Sequence, residues 1–410
     1  MEYLHYFETT SAFTEAYNGG GYKEPWVSYT EENQEVNYNK PHDYSKDYLT
    51  FDILSDGYVT FIVSPIVSDT YPIEYSKNGG EWIEIIGVKS TTTQIDVNTG
   101  DVVRFKGNNS SYGVSNGGGC YFGSTSEFNL YGNIMSLVYG DNFQNQTVLS
   151  NPYTFRVLFW SCVNLKDASN LVLPATTLTN YCYYSMFQNC TSLTTAPELP
   201  AITLADNCYQ SMFGSCTGLE VAPELPATTL ASSCYGQMFQ GCTSLVTAPE
   251  LPATTLANYC YSSMFYGCTG LTTAPELPAT TLADSCYSSM FQSCTSLTTA
   301  PSILPATTLA NYCYSSMFYG CTGLTTAPEL PATTLVNNCY GASLFYPGIF
   351  GNCSNLNYIK CLATDISATN CTKNWVQNVA ATGTFVKHQN MNDWTTGADG
   401  IPSGWTVQDI

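Results

Sequence analysis

One phrase is copied six times along this chain, and it constrains the fold more than any other feature of the sequence. The copies occupy residues 173–329 and follow the pattern L-P-A-T-T-L-A-x-x-C-Y-x-x-M-F-x-x-C-T-x-L-x-x-A-P-E. Successive copies are offset by 26 residues, with one step of 27 where Ser302-Ile303 replaces the usual glutamate. Partial copies flank the array around Cys162 and Cys353. Self-similarity at this period is typical of a solenoid, in which stacked coils share one core.

The positions that stay constant between copies predict a helix with one buried face. In the copy that begins at Leu251, the constant residues fall within one half of a wheel drawn at about 100° per residue. They are Leu256, Cys260, Tyr261, Met264, Phe265 and Cys268. Most variable positions lie opposite, and the exception is Gly267. The following T-x-L-T-T-A-P predicts a short strand that its proline ends. We therefore expect an α+β fold, a solenoid with a short parallel strand plus a short helix in each 26-residue turn.

The regular cysteines raise the question of disulfides. Within a copy the two cysteines are eight residues apart, about 12 Å along a helix, which is too far for a bond. Equivalent cysteines of neighbouring coils would lie about 5 Å apart, so bonds between coils are geometrically open. We favour buried, reduced thiols that act as small hydrophobes, and a pair between Cys361 and Cys371 stays open. Zinc is disfavoured because no CxxC pair or histidine accompanies the array, and no cofactor is expected.

Two surface rows are also expected. One glutamate recurs in most copies and predicts a solvated acidic row, with bound cations as the alternative: Glu198, Glu224, Glu250, Glu276 and Glu329. Tyrosines at outward positions, with asparagine and serine around them, form a rigid amphipathic surface suited to sugars or protein partners. The candidate ligand surface consists of Tyr181, Tyr184, Tyr259, Tyr266, Tyr312 and Tyr319. The alternative for these tyrosines is packing between neighbouring coils.

The array has flanking regions of different character. Residues 48–150 contain short alternating segments, including "PIEYSKNGGEWIEI" with its Asn78-Gly79-Gly80 turn, and predict an antiparallel β-sandwich domain. Residues 1–47 are a tyrosine-rich lead that we interpret as an attachment segment. The solenoid is expected over 151–353. Residues 354–410 are expected to cap it, with a short helix around Trp375.

Charge excludes several functions. The formal net charge is −20, and no Lys, Arg or His occurs between Lys166 and Lys360. Nucleic-acid binding and polybasic membrane attachment both need clustered cations, so neither is expected. No apolar run reaches the roughly 20 residues of a membrane span. The start "MEYLHYFETT" lacks the basic and apolar regions of a signal peptide, which predicts folding in a cytoplasm.

The phrase M-F-x-x-C-T-x-L-T-T-A followed by L-P-A-T-T-L resembles the BspA-type leucine-rich repeat over roughly residues 155–360. The layout of lead, β domain and array ending in "GIPSGWTV" resembles proteins of bacteriophages that infect gut Bacteroidales, including crAss-like phages. This resemblance implies a virion component such as a tail fibre, a receptor-binding protein or a head decoration. Similar arrays occur in surface adhesins of the same bacteria.

No motif predicts catalysis. The three histidines are scattered, and HExxH, GxSxG, P-loop and GxGxxG patterns do not occur. We expect a non-enzymatic protein that attaches to other virion proteins through its N-terminal region and meets host cell-surface polysaccharide or protein through the solenoid. The expected location is the virion, with the bacterial cell surface as the alternative. A purely structural spacer and a homo-oligomer also stay open.

Overall fold

The structure is a computed structural model, and it describes residues 42–66, 70–115, 117–343 and 347–410. Most of the expected attachment segment, residues 1–41, lies outside the described residues. Residues 43–410 form one compact unit. The described strands are β1 (Leu49–Ile53), β2 (Gly57–Val63), β3 (Tyr71–Lys77), β4 (Ile83–Gly87), β5 (Thr92–Val97), β6 (Val102–Gly107), β7 (Cys120–Ser124), β8 (Phe128–Asn133), β9 (Leu165–Val172), β10 (Tyr358–Cys361), β11 (Thr384–Lys387) and β12 (Thr406–Asp409).

Two sheets form the region before the array. The first has the order β4-β3-β6-β1-β8-β9 and the second β5-β2-β7. Their pairs are antiparallel, except that β8 and β9 run parallel. Phenylalanines hold the sheets together, since the rings of Phe51 and Phe105 lie 5.2 and 4.8 Å from that of Phe122 on the opposite sheet. The predicted hairpin at Asn78-Gly79 is present between β3 and β4, with the positive φ angles that such a turn requires.

The repeats stack side by side, one coil upon the next. Single parallel bridges link neighbouring coils at one position from Asp167 to Thr299, as between Thr247 and Thr273, and at a second position between some coils, as between Thr229 and Thr255. Strand β9 is the extended part of the first coil and also the edge of the six-stranded sheet. The hydrophobic core is therefore continuous from the sheets into the array. The expected strand in each turn is reduced to these bridges.

The expected helix in each coil is wrong. Within the described residues, α-helix is confined to α1 (Ser136–Tyr139), and 3₁₀-helix to Tyr44–Lys46 and Gly140–Asn142. The C-Y-x-x-M-F-x-x-C stretch is a ribbon of consecutive turns, and the segment around Trp375 has the same conformation. Alternate amides bond back three residues, as Met186 N does to Tyr183 O at 3.2 Å. The amides between them bond to the next coil, as Phe187 N does to Met212 O at 2.9 Å.

The residues of the turn ribbon explain why it is not a helix. Every fourth residue has a positive φ, in one coil Tyr181, Ser185 and Asn189. A positive φ at the third position of a turn is the signature of type II geometry, and it breaks a right-handed helix. Buried pairs therefore recur every four residues, and the positions predicted to be interior are buried except Leu256, which is half-buried. Cys260, Met264, Phe265 and Cys268 have no exposed surface.

Two aromatic columns run through the whole array. In the phenylalanine column, neighbouring rings stack at 5.3–5.9 Å from Phe159 to Phe350. The tyrosine column begins at Phe155, ends against Trp375, and consists of Tyr183, Tyr209, Tyr235, Tyr261, Tyr287, Tyr314 and Tyr340. The stacking of identical side chains fixes the register between coils, because a shift of one coil position would place polar residues in the core.

The C-terminal region closes the stack. Strands β10, β11 and β12 form a parallel three-stranded sheet beside the last coils. The Trp375 ring stacks on that of Trp394 at 5.5 Å, and the Trp375 indole N–H donates to Gly400 O. The segment around residues 394–400 thus covers the end of the aromatic columns.

Candidate functional site

The outward side of the turn ribbon is the surface on which all six candidate tyrosines lie. Hydrogen bonds between coils define which positions are equivalent. Tyr181, Tyr259 and Tyr312 share one column of positions, Tyr266 and Tyr319 share a second, and Tyr184 lies in a third. The structure therefore brings these residues to one face.

The tyrosines do not form a continuous row along that face. Serine occupies the coil between Tyr259 and Tyr312 at Ser285, and glutamine occupies the coil between Tyr266 and Tyr319 at Gln292. At a spacing of about 4.8 Å per coil, equivalent tyrosines two coils apart are roughly 10 Å from each other. Tyr259 is 47% exposed, whereas the other five are half-buried. The face thus offers separate tyrosine positions on a polar background.

Local bonds hold this background in place. A column of Asp and Asn side chains accepts the backbone N–H of the equivalent residue in the next coil, as Asp284 Oδ1 does from Asn311 N at 3.0 Å. Asp206, Asn258 and Asn337 make the same bond. The Tyr319 hydroxyl accepts from Asn352 Nδ2 at 2.5 Å. Polar residues of the face therefore serve the coil-to-coil contacts as well as the surface.

Tyr181 and Tyr184 belong to a tighter cluster at the first coils. The Tyr181 ring stacks on Tyr153 at 5.0 Å and meets Tyr184 at 5.8 Å. The Arg156 guanidinium lies 4.8 Å from the centre of the Tyr184 ring and 5.7 Å from that of Tyr153. Sequence reasoning missed Arg156 and Tyr153, because they lie in the partial copy before the array and their coil equivalence becomes visible only through the hydrogen bonds.

All eighteen cysteines are free and buried. The second cysteine of each coil donates its thiol to a phenylalanine carbonyl of the coil before it, as Cys268 Sγ does to Phe239 O at 3.0 Å. The bond repeats at the equivalent positions Cys190, Cys216, Cys242, Cys294, Cys321 and Cys353. Burial raises the pKa of Cys268 to about 12, so this thiol stays protonated at neutral pH.

The acidic row is present, and some of its glutamates have hydrogen-bond or ion-pair partners. Glu198, Glu224, Glu250 and Glu276 are exposed. Glu329 pairs with Lys360 at 3.0 Å. Glu276 accepts the Ser302 backbone N–H.

Among the described residues, no group of three or more His, Cys, Asp or Glu side chains could hold a metal ion. No helix in the described part of the chain is long and apolar enough to cross a membrane.

Comparison of the chain with protein-family models, with curated proteins and with solved structures gives no match.

Proposed function

We propose that this chain is a non-enzymatic bacteriophage virion protein, a tail fibre or receptor-binding protein that presents a rigid repeat surface to host cell-surface glycan or protein. The observation that carries the proposal is the division within each coil. Interior positions keep the same residue along the stack, whereas outward positions of the turn ribbon exchange Tyr, Gln, Gly, Asn and Ser freely. Such a division is typical of a scaffold whose outer surface is adapted separately from its core.

The repeat phrase supports a further part of this proposal. We infer that the coils are a variant of the BspA-type leucine-rich repeat in which the turn ribbon takes the place of the helix. Weak contacts made by each coil would add through avidity when several copies of the chain are held together in one particle. The N-terminal residues 1–47 would attach the chain to other virion proteins.

Two experiments test the proposal. The first is mass spectrometry of purified phage particles, in which the chain should be present at a fixed stoichiometry. The second measures binding of the full-length chain to host cells and to an array of host polysaccharides. Presence in particles together with binding supports the proposal. Presence without binding would favour a structural spacer or decoration protein. Detection on the bacterial surface instead of in particles would favour an adhesin.

A further inference from the structure

The geometry points to a subsite for a carboxylated sugar at the first two coils, formed by Arg156 with the aromatic residues around it. This inference rests on the proposed glycan-binding function and names the chemistry that one end of the surface would recognise. We define the subsite by Arg156, Tyr153, Trp160, Tyr181 and Tyr184.

Arg156 is held in place but its charge is not neutralised. Nη1 donates to Val114 O at 2.8 Å, and the flat guanidinium lies against the rings of Tyr153 and Tyr184. The Nε atom is buried and has no acceptor among the described residues. No carboxylate of the described residues lies within 4 Å of the guanidinium, whereas most described lysines have such a partner. These are Lys46, Lys77, Lys106, Lys166, Lys360, Lys373 and Lys387. The buried Nε is out of reach of a ligand, so a carboxylate would bind at the terminal nitrogens, where a fixed guanidinium makes charge-assisted hydrogen bonds.

Aromatic rings on the same face as Arg156 suit the remainder of a sugar. Trp160 follows Arg156 by four residues, so the four-residue period of the ribbon places both on the outward face. Trp160 is 40% exposed, and its ring meets Tyr121 edge-on at 6.1 Å. Tyr181 and Tyr184 continue the aromatic surface onto the second coil. Rigid amphipathic rings pack on the C–H faces of pyranose rings at little cost in conformational entropy.

The charge of the whole chain restricts the ligand further. With a net charge of −20, the protein would repel a polyanion along most of its length. At physiological ionic strength, charges more than about 8 Å away are largely screened, so a single carboxylate beside Arg156 is tolerated. The ligand that fits is therefore a mostly neutral glycan that carries an isolated hexuronate.

The array itself supplies conservative variants for the test. Hydrogen-bond equivalence places Gln210 in the column of Arg156 and Gln188 in that of Trp160. Arg156→Gln and Trp160→Gln therefore introduce residues that the ribbon already accommodates. Tyr266→Gln is the matched control, since Gln292 occupies the equivalent position outside the subsite.

The experiment is calorimetric titration of the full-length chain with a xylo-oligosaccharide that bears one glucuronate branch, and with the same compound as its methyl ester. We expect the acid to bind more tightly than the ester. Arg156→Gln should weaken binding of the acid by about 10- to 100-fold and remove the preference over the ester. Trp160→Gln should weaken both ligands, and Tyr266→Gln neither.

Equal affinity for acid and ester, no binding of the acid, or an unchanged preference in Arg156→Gln would each overturn the subsite. These outcomes concern the subsite alone and do not decide the proposed function. If Arg156→Gln still binds host cells, the glycan-binding proposal stands without this subsite. If the unmodified chain does not bind host cells, the proposed function itself is contradicted. Circular dichroism and the denaturation midpoint of each variant show that it is folded.

Discussion

Buried hydroxyl groups of the tyrosine column are the most unusual feature at the scale of single residues. Tyr235 has a hydroxyl that is buried and lacks a hydrogen-bond partner among the described residues. Tyr112 is the contrast, since its buried hydroxyl donates to Leu137 O at 2.7 Å. We expect Tyr235→Phe to raise the free energy of unfolding by about 1 kcal/mol, because it removes an unsatisfied polar group. Tyr112→Phe should lower it by a similar amount. Denaturant unfolding of both variants measures the difference in sign.

Two glycines of one coil allow the cost of backbone strain to be measured separately from the cost of steric crowding. Gly320 has a φ of +74°, and a methyl group there would have its nearest neighbour at 3.6 Å. Gly323 lacks the positive φ, but a methyl group would lie 2.9 Å from the carbonyl oxygens of Thr295 and Leu297 in the coil before. Gly320→Ala should cost about 1 kcal/mol of unfolding free energy through strain alone. Gly323→Ala should lower the free energy of unfolding by more, because the backbone of one of the two coils must shift to make room for the methyl group. Comparable denaturation midpoints for the two variants would contradict this reading of the coil contact.

At the scale of the element, the sequence was sufficient to predict which residues are buried but not the backbone that buries them. A helix and the turn ribbon both place Cys260, Met264 and Cys268 on one side. The choice between them depends on whether amides bond within the coil or to the next one, and that partner is not local. Signals for the ribbon were nevertheless present. The buried pairs recur strictly every four residues rather than every 3.6, and residues that tolerate positive φ, such as Gly267 and Asn189, occupy the turn positions.

The same holds for the candidate surface, where the repeat pattern predicts which side chains face outward but not which residues they contact. The outward direction of Tyr259 and Tyr266 follows from their variable positions in the repeat. The grouping of Arg156 with Tyr153 and Tyr184 does not, because it depends on stacking of a degenerate copy on the first full one. Sequence separation alone does not show that Arg156 and Tyr184 hold equivalent positions in adjacent coils.

The last turn ribbon has a cap that is comparable to the N-cap of a helix. Amides of the ribbon that bond between coils all point toward the following coil, so the final ribbon leaves donors without a partner coil. Asp399 accepts the Asn374 N–H at 2.7 Å and also binds Lys373 Nζ, and Ala398 O accepts from Val376 N. Burial opposes ionisation of Asp399, but the Asn374 N–H and Lys373 outweigh it and hold the pKa of this carboxyl below its usual value.

Removal of this cap should loosen the end of the stack first. We expect Asp399→Ala to cost about 1–2 kcal/mol and to increase hydrogen exchange in residues 370–378 before the central coils. Asp399→Asn retains an acceptor and should cost less. Because the folded pKa is depressed, the contribution is complete above the unfolded value of about 3.9 and is lost as the pH falls below it. Asp393→Asn is the control. Uniform exchange along the array after Asp399→Ala would show that the end does not open separately.

Residues 43–410 share one continuous core that encloses ionisable groups in their neutral form, and alkaline pH should therefore unfold this part of the chain. Burial raises the pKa values of the stacked tyrosines and thiols, to about 12 for Cys260 and Cys268. Groups whose folded pKa is raised stabilise the fold fully below their unfolded pKa, about 8.5 for cysteine and 10 for tyrosine, and this stability is lost as the pH rises. Each such group removes up to about 1.4 kcal/mol per pH unit above that value.

We expect the denaturation midpoint to fall steeply above about pH 9. The tyrosinate absorbance of the tyrosine column should appear only together with loss of the native circular dichroism. Complete tyrosinate absorbance near pH 10 with native circular dichroism would show that solvent reaches the columns.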